Sequence, residues 1–315
     1  MNLCGSELRF AFGSGGPQII KLAADAGFDG IAMGSACGSG DVAPLIAAAV
    51  AVGLVVPVVA APLGDGPPVE GRRLPYLAAL DDSDERRAAL ALFDATVEAS
   101  VSLGVKTFTI AMGEVPLGVP EIEVARRFAR RELDDDGPGA RALAAAIGER
   151  RARSGAYLDA CRTALDRIVK AAERRAVHVA IEMAGDLWRG PSPREAMLLL
   201  EEYRNGPVGV VWDEARAQAL EVMGVGPTAE RRTTLMAAAL VFRANESVGL
   251  EVGYLPGLGD PLRLEAHKGA GAGAAENAAA TDTGRPALSA AAPVIVTGRR
   301  DSTFDEVARA RTLRS

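Results

Sequence analysis

Short apolar runs alternate with longer helical segments along almost the whole chain, and this alternation restricts the fold more than any other feature. Eight runs have the length and composition of buried strands, at residues 8–12, 28–33, 54–60, 105–111, 177–183, 208–212, 240–244 and 294–296. Strands that are apolar without interruption are typical of parallel sheets, because helices cover their faces. The helical segments carry their own boundary signals: Gly53 and Gly104 follow helices, and Ser192-Pro193-Arg194-Glu195 has the pattern of a capping box.

Eight strands alternating with helices predict an α/β fold in which a parallel sheet closes into a (β/α)8 barrel, here a single domain over residues 1–315. An open doubly wound sheet is the alternative. A polar insertion is expected after the fourth strand, over residues 114–153, with the next helix at 157–175. Residues 266–292 are a low-complexity segment before the eighth strand. We expect that segment to be the least ordered, because its alanines and glycines bury little area, and the 62–82 loop to be next.

Composition narrows the function classes. A net charge of -6 argues against a nucleic-acid partner, and two histidines exclude a site with three imidazole ligands. Three cysteines without a CxxC pair form neither a disulfide framework nor a zinc knuckle. Residues 42–64 carry no charge, but prolines and glycines interrupt them, and the N-terminus has no secretory pattern. We therefore expect a cytoplasmic protein with a small-molecule substrate and no membrane partner; a homo-oligomer is left open.

Ionisable residues at the ends of the predicted strands are the candidates for chemistry, because reactive side chains of such barrels project from the carboxyl ends of the strands. Glu182 and Asp213 are the sharpest signals, since each ends an apolar run where a carboxylate is costly to bury without a partner. Two carboxylates on adjacent strands can bind a divalent cation or act as acid and base. The structural alternative is a pair of carboxylates that arginines neutralise. The remaining strand-end candidates are Glu114, Arg216, Arg243, Glu246 and Arg299.

Several short motifs occur in a recognisable order. They are Ala26-Gly27-Phe28-Asp29-Gly30-Ile31, the sequence ASVSLGV at residues 99–105, Val179-Ala180-Ile181-Glu182, Val210-Val211-Trp212-Asp213 and Leu255-Pro256-Gly257-Leu258-Gly259-Asp260. In this order and spacing the chain resembles the xylose-isomerase-like TIM barrels, the sugar phosphate isomerase/epimerase family, over about residues 8–313. The resemblance implies the same barrel fold.

The resemblance also implies a metal held by Glu, Asp, His and Glu on the fifth to eighth strands. Glu182 and Asp213 match the first two, whereas Arg243 and Thr297 stand at the other two positions. The family's D-x-x-H reads Asp213-Glu214-Ala215-Arg216, and Met33 replaces a glutamate on the second strand. Without an imidazole this is a poor site for Mn or Zn, while Mg binds weakly through two carboxylates and water. We therefore expect no cofactor, or a weakly bound Mg or Mn held by Glu182 and Asp213.

The function that the resemblance implies is isomerisation or epimerisation of a small polyhydroxy or keto compound, by removal of a proton next to a carbonyl. Glu182 would be the base, Asp213 would hold substrate or a weak metal, and Glu246 is a further catalytic candidate. Arg216 and Arg243 would stabilise an enediolate without a metal. The substrate-binding candidates are Arg216, Arg243, Trp212, Arg299 and Glu114. The alternative is a non-catalytic or repurposed barrel that binds a ligand or a protein partner, and a lyase activity is also open.

Overall fold

The structure is a computed structural model, and it describes residues 3–5, 16–25, 27–34, 42–63, 74–80, 82–119, 138–213, 216–217, 220–221, 225–245 and 294–297. Within these ranges, eight parallel strands close into a barrel. They are β1 (Leu3–Gly5), β2 (Gly30–Met33), β3 (Val55–Ala61), β4 (Thr107–Ile110), β6 (His178–Glu182), β8 (Val208–Asp213), β9 (Ala239–Asn245) and β10 (Val294–Thr297). A separate antiparallel ribbon pairs β5 (Gly113–Glu114) with β7 (Arg189–Gly190).

The barrel closes because β10 pairs with β1 as well as with β9. This confirms the predicted (β/α)8 architecture and rules out the open doubly wound sheet, whose edge strands would stay unpaired. The described helices are α1 (Gly16–Asp25), α2 (Val42–Ala51), α3 (Ser83–Val101), α4 (Pro138–Arg175), α5 (Pro193–Glu202) and α6 (Ala229–Ala237). No helix in the described ranges is long and apolar enough to cross a membrane.

Side chains cap the starts of two helices. Asp82 caps α3 by accepting hydrogen bonds from the backbone N–H groups of Asp84 and Glu85. Ser192 and Glu195 form the predicted capping box at the start of α5, with Pro193 in its first turn. Such caps satisfy backbone donors that a helix leaves without an internal partner.

The sequence misplaces two elements. The first barrel strand is Leu3–Gly5, whereas the predicted run at 8–12 lies outside the described residues. The stretch Leu3-Cys4-Gly5 includes a glycine and does not stand out in the sequence as an apolar run. It is specified by its pairing, which joins Cys4 to Ile295 on one side and to Gly30 on the other. The low-complexity segment 266–292 also lies outside the described residues.

The polar insertion is the second correction. The structure has one continuous helix α4 from Pro138 to Arg175, where the sequence predicts separate charged pieces and a helix that begins only at 157. Proline is favoured at a helix start, and interior glycines such as Gly148 cost only about 1 kcal/mol each. Tertiary contacts outweigh that cost: Ala146 packs against Leu187 and Trp188 of the segment that follows β6.

Successive side chains of each barrel strand point alternately into the barrel and toward the helices. This alternation determines which residues of the strands face the candidate site. The barrel interior is a layer of small side chains, namely Ala32, Val58, Ala180, Val211 and Val241. Because side chains alternate across a strand, the next inward positions along β6 and β8 are Glu182 and Asp213. The carboxylates therefore lie one layer above the apolar interior, at the carboxyl end of the barrel.

Candidate active site

Glu182 and Asp213 lie at the carboxyl ends of neighbouring strands, as the sequence predicts. Glu182 is in register with Val211 of β8. Asp213 lies two residues further along β8, on the same face of that strand as Val211. The Glu182 side chain is 14% exposed and that of Asp213 is 9% exposed. Both carboxylates are thus largely desolvated but still reach the barrel mouth, which is the setting in which a charged group needs a partner and can meet a ligand.

Arg216 connects the two carboxylates. Its Nη1 lies 3.3 Å from Glu182 Oε2, and its Nε lies 3.5 Å from Asp213 Oδ2. Its backbone N–H also donates to Asp213 Oδ1 at 3.1 Å. One guanidinium therefore neutralises charge on both strand ends. The distances are long for charge-assisted hydrogen bonds, which are usually about 2.7–2.9 Å.

The segment after β6 fixes the position of Arg216. Arg216 Nη1 donates to the carbonyl oxygen of Met183 at 3.0 Å. Gly185 packs directly against the Arg216 stem, so that a β-carbon there would lie 2.8 Å from Arg216 Cγ. A glycine at 185 is thus required for the close approach of this segment to Arg216.

Asp186 in the same segment is a buried carboxylate that follows β6. Its Oδ1 accepts hydrogen bonds from the backbone N–H groups of Trp188 and Arg189, at 2.9 and 2.8 Å. Its Oδ2 is buried without a hydrogen-bond partner, and Arg189 Nε lies 3.8 Å from it. Burial raises the pKa of Asp186, and the positive charges of Arg189 and Arg216 offset this only in part.

The β5–β7 ribbon extends from the carboxyl ends of β4 and β6, and it carries Glu114. Glu114 is in antiparallel register with Arg189 and accepts a hydrogen bond from the hydroxyl of Tyr76. The backbone N–H of Val115 donates to the carbonyl of Trp188, so the ribbon continues beyond the two-residue strands. Glu114, a predicted substrate contact, therefore lies on the β5–β7 ribbon beside the barrel mouth and not at the end of a barrel strand.

Trp212 lies on the opposite face of β8 from Asp213. Its side chain is buried in the large apolar cluster between the sheet and the helices, and the Arg232 guanidinium lies 5.8 Å from the centre of its ring. Together with Met183, Pro193 and Leu220 it lines a small recess next to Asp213 and Arg216. This is the placement of a core residue that supports the strand end.

The remaining predicted residues are placed in backbone only or fall outside the described ranges. In the register of β8 and β9, Arg243 is paired with Asp213. On the next strand, Thr297 is paired with Asn245 of β9. Glu246 and Arg299 lie outside the described residues. The backbone thus places residue 243 beside Asp213 on the neighbouring strand.

A second arginine–carboxylate cluster, which sequence analysis missed, holds α4 against α5. Arg150 donates to both oxygens of Glu195, at 2.7 and 2.5 Å, and Ser154 donates to Glu195 Oε1 at 2.6 Å. Both charged side chains are more than nine-tenths buried. The Arg150 guanidinium also lies 5.1 Å from the centre of the Tyr157 ring. Only the capping-box role of Glu195 was visible in the sequence, because its arginine partner is 45 positions away.

The ligand chemistry at the barrel mouth does not fit a resident divalent metal. Arg216 lies within 3.5 Å of both carboxylates, and no group of three or more His, Cys, Asp or Glu in the described part of the chain is arranged to hold an ion. Two unit charges about 4 Å apart near a protein surface interact by about 4 kcal/mol, so a divalent cation beside a guanidinium meets a strong repulsion. We therefore derive no chemical step through a metal.

Comparison with known proteins agrees with this architecture. Residues 20–233 match the family described as xylose isomerase-like TIM barrel. The chain belongs to this family. A comparison with curated proteins finds no match.

Among solved structures, the chain is similar to an L-ribulose 3-epimerase, with a TM-score of 0.58, 12% identity, and coverage of 99% of this chain and 93% of that one. It is also similar to 3-keto-D-glucoside 4-epimerase from E. coli, with a TM-score of 0.55 and 14% identity over 99% and 100% of the two chains. A third similar structure is the IolI protein with a bound zinc atom, with a TM-score of 0.56 and 14% identity over 99% and 96%. At these identities the likeness establishes the barrel fold.

Proposed function

We propose that this barrel is an isomerase or epimerase of a small polyhydroxy keto compound, working by proton transfer next to the carbonyl without a metal. The observation that carries the proposal is the contact of one fixed cation, Arg216, with two carboxylates at the barrel mouth. Barrel chemistry occurs at this end of the strands, and the similar solved structures include an L-ribulose 3-epimerase and a 3-keto-D-glucoside 4-epimerase.

Glu182 is the proposed base. It removes the proton from the carbon beside the substrate carbonyl. The electron pair of that C–H bond becomes a carbon–carbon double bond, and the π pair of the carbonyl moves to its oxygen, which gives an enediolate. Return of a proton to the opposite face of the same carbon gives the epimer. Return of a proton to the former carbonyl carbon, with transfer of the hydroxyl proton of the neighbouring carbon to the enediolate oxygen, gives the isomer. A carboxylate largely shielded from water but still reachable suits this role.

Arg216 is the proposed stabiliser of the enediolate oxygen. A guanidinium is a fixed positive charge, so it can stabilise developing negative charge without losing a proton. Its contacts with Glu182 and Asp213 are long, so the guanidinium has hydrogen-bonding capacity left for a substrate oxygen. The Asp213 carboxylate then orients Arg216, because it contacts both the backbone N–H and the Nε of that arginine.

The other predicted residues take supporting roles in the proposal. Arg243 adds a second positive charge beside Asp213, as the register of β9 suggests. Glu114 lies on the ribbon beside the mouth and is a candidate contact for substrate hydroxyls. Glu246 is the candidate for the second proton-transfer group, and Arg299 for binding an anionic end of the substrate. Trp212 supports the Asp213 strand end from the core.

The alternative function is a barrel that binds a small ligand or a protein partner without turnover. It is favoured by one observation: Arg216 already contacts Glu182, Asp213 and the Met183 carbonyl, so that its charge is compensated without a substrate. In this account the cluster is a structural ion pair.

Solvent-isotope exchange separates the two functions. Wild-type protein is incubated in D2O with a panel of ketopentoses, ketohexoses and keto acids, and deuterium at the carbon next to the carbonyl is followed by NMR. The proposal predicts exchange with at least one compound and its loss in Glu182→Gln. Ligands that raise the thermal stability of the wild type without exchange would instead establish the binding function.

A further inference from the structure

The same Asp-x-x-Arg turn occurs twice beside the barrel mouth. The first copy is Asp213 with Arg216 at the end of β8, and the second is Asp186 with Arg189 in the segment after β6. In each turn the aspartate Oδ1 accepts a hydrogen bond from the backbone N–H of the arginine, at 3.1 Å in the first and 2.8 Å in the second. In each turn the aspartate Oδ2 faces the arginine Nε, at 3.5 and 3.8 Å. The chain thus holds a second guanidinium in the way in which it holds Arg216.

The two guanidiniums differ in their other contacts. Arg216 Nη1 contacts Glu182 and the carbonyl oxygen of Met183. Within the part of the chain that the structure describes, the Arg189 guanidinium forms no hydrogen bond, and its one charged neighbour within 4 Å is Asp186. Because Nε is the nitrogen that approaches Asp186, the edge formed by Nη1 and Nη2 is left for a ligand. The Arg189 side chain is 34% exposed, so solvent reaches it.

The backbone that carries Arg189 is tightly packed. Trp188 is buried against α4, and Gly190 lies so close to Tyr157 that a β-carbon at position 190 would clash with the ring. The Asp186 side chain has no exposed area, and its Oδ1 is fixed by two backbone N–H donors. A ligand therefore meets a guanidinium that the fold has already oriented, which lowers the entropic cost of binding.

The charges around Arg189 favour one kind of ligand. Glu114 is opposite Arg189 in the register of the ribbon, and Asp186 approaches it within its own turn. A phosphate monoester carries a charge of about −1.5 to −2, so these two carboxylates repel it more strongly than they repel a singly charged carboxylate. A carboxylate also matches the planar fork of an arginine in a bidentate contact. A carboxylate is therefore the anion that fits this position.

We propose that Arg189 binds the carboxylate of the substrate, and that the substrates of this barrel are polyhydroxy keto acids. The inference rests on the proposed function, because it names the substrate class of the same site. Arg216 acts at the reacting carbonyl, and Arg189 holds the carboxylate elsewhere on the molecule. Both guanidiniums are near Asp186, since burial raises the pKa of this carboxyl and the charges of Arg189 and Arg216 offset part of the rise. One small molecule can therefore contact both arginines.

Isothermal titration calorimetry with a matched pair of probes tests the proposal. D-gluconate and D-glucitol have the same carbon chain, but only gluconate has a carboxylate. The wild type is expected to bind gluconate at least about 10-fold more tightly than glucitol, because gluconate gains a charge-assisted bidentate contact. Arg189→Met should lose this preference, and Arg189→Lys should keep only part of it, since an ammonium has no planar fork. Glucitol 6-phosphate should bind more weakly than gluconate.

Two further variants locate the contact. Arg162→Met, which removes an exposed arginine of α4 paired with Glu202, should leave both affinities unchanged. Arg299→Met tests the other arginine proposed for an anionic group and should retain the preference for gluconate. Circular dichroism verifies that each variant is folded. The proposal is wrong if the wild type does not bind gluconate in preference to both other probes. It is also wrong if a folded Arg189→Met keeps the preference or if Arg299→Met loses it.

The outcome for this substrate class is separable from that of the proposed function. The titrations measure binding without turnover, so a preference for gluconate that depends on Arg189 stands even if no compound exchanges deuterium. Conversely, exchange with neutral ketoses alone, at the same rate in the wild type and Arg189→Met, would retain the isomerase or epimerase function and overturn the assignment of keto acids.

Discussion

Two arginine–carboxylate clusters in this chain use the same functional groups in opposite ways. The Arg150–Glu195 pair is bidentate at 2.7 and 2.5 Å, and its side chains are 8% and 3% exposed. The cluster of Arg216 with Glu182 and Asp213 has contacts of 3.3 and 3.5 Å, and Arg216 is 27% exposed. In the first cluster the arginine–carboxylate distances are short and the side chains are closed to solvent. In the second cluster the distances are longer and the arginine is partly exposed at the barrel mouth.

This difference indicates that Arg150 has a structural role and that Arg216 does not have that role alone. A fully buried, bidentate pair must stay intact, because losing one partner strands an uncompensated charge. A half-open cluster with long contacts has interaction capacity left for a ligand, and it stands at the strand ends where barrel chemistry occurs. The buried pair therefore ties α4 to α5, and the open cluster is the candidate site. The predictions below test this division.

The largest expected effect is on stability at the buried pair. Arg150→Met leaves the Glu195 carboxylate uncompensated, and we expect a loss of about 3–5 kcal/mol in the free energy of unfolding. Urea denaturation measures it. The matched control is Arg162→Met, which breaks the exposed pair with Glu202 and should cost about 1 kcal/mol or less. Equal losses in the two variants would contradict the structural role of Arg150.

The second prediction disturbs the open cluster from outside. Gly185→Ala places a methyl group 2.8 Å from Arg216 Cγ and forces the arginine away from the carboxylates. We expect a loss of about 1–3 kcal/mol in unfolding free energy, as is typical of overpacking. Gly148→Ala is the control: nothing lies within 4 Å of the new methyl group in α4, so this variant should gain up to about 1 kcal/mol. A neutral Gly185→Ala would show that Arg216 is not held by this segment.

The third prediction concerns acid stability at the buried pair. Burial alone raises the pKa of Glu195, but the hydrogen bonds and charge of Arg150, with those of Ser154 and Ser192, outweigh it and hold the pKa below its usual range. A lowered pKa in the folded state contributes stability above the unfolded-state pKa, and this contribution is lost as the pH falls through the lower folded value. The wild type should therefore lose more stability between about pH 5 and pH 3 than Arg150→Met/Glu195→Gln, which lacks both charges. Parallel curves of unfolding free energy against pH for the two proteins would contradict this.

The smallest effect is expected at Asp186, where the pKa is raised in the folded state instead of lowered as at Glu195. Because burial raises its pKa, the folded state favours the protonated form, and ionisation costs stability as the pH rises above about 4. Asp186→Asn keeps an oxygen that can accept from Trp188 and Arg189, so the variant should show a small gain in unfolding free energy at pH 7 that disappears at low pH. Thermal denaturation at several pH values measures it. A loss of stability at pH 7 would indicate that the ionised carboxylate is favoured in the fold.

The sequence predicted most of the barrel because each long strand is an apolar run with clear boundaries. The strands β2, β3, β4, β6, β8, β9 and β10 all fall within a residue or two of their predicted places. Prediction from the sequence failed for the elements whose formation depends on tertiary contacts rather than on the local sequence pattern. Leu3–Gly5 is a strand only because β10 and β2 flank it, and α4 continues through Gly148 because its side chains pack against the segment after β6.

The candidate site was predictable in its positions but not in its contacts. Glu182 and Asp213 stand at strand ends that can be read from the sequence, and the barrel places those ends side by side. The contact of Arg216 with Glu182 joins residues 34 positions apart, and it depends on how closely Gly185 approaches the arginine. Neither pattern nor composition carries that information. The same holds for Arg150, whose partner is known only once α4 and α5 are packed together.

The most direct test of the division between the two clusters is isotope exchange in D2O, measured on Arg216→Met and Arg162→Met with a compound that exchanges in the wild type. Removal of one donor that stabilises an oxyanion costs about 100- to 1000-fold in rate, so Arg216→Met should lose exchange by that factor while its thermal unfolding shows that it is folded. Arg162→Met should exchange at the wild-type rate. Full exchange by a folded Arg216→Met protein, or no exchange by the wild type with any keto compound, would contradict a working site at the barrel mouth.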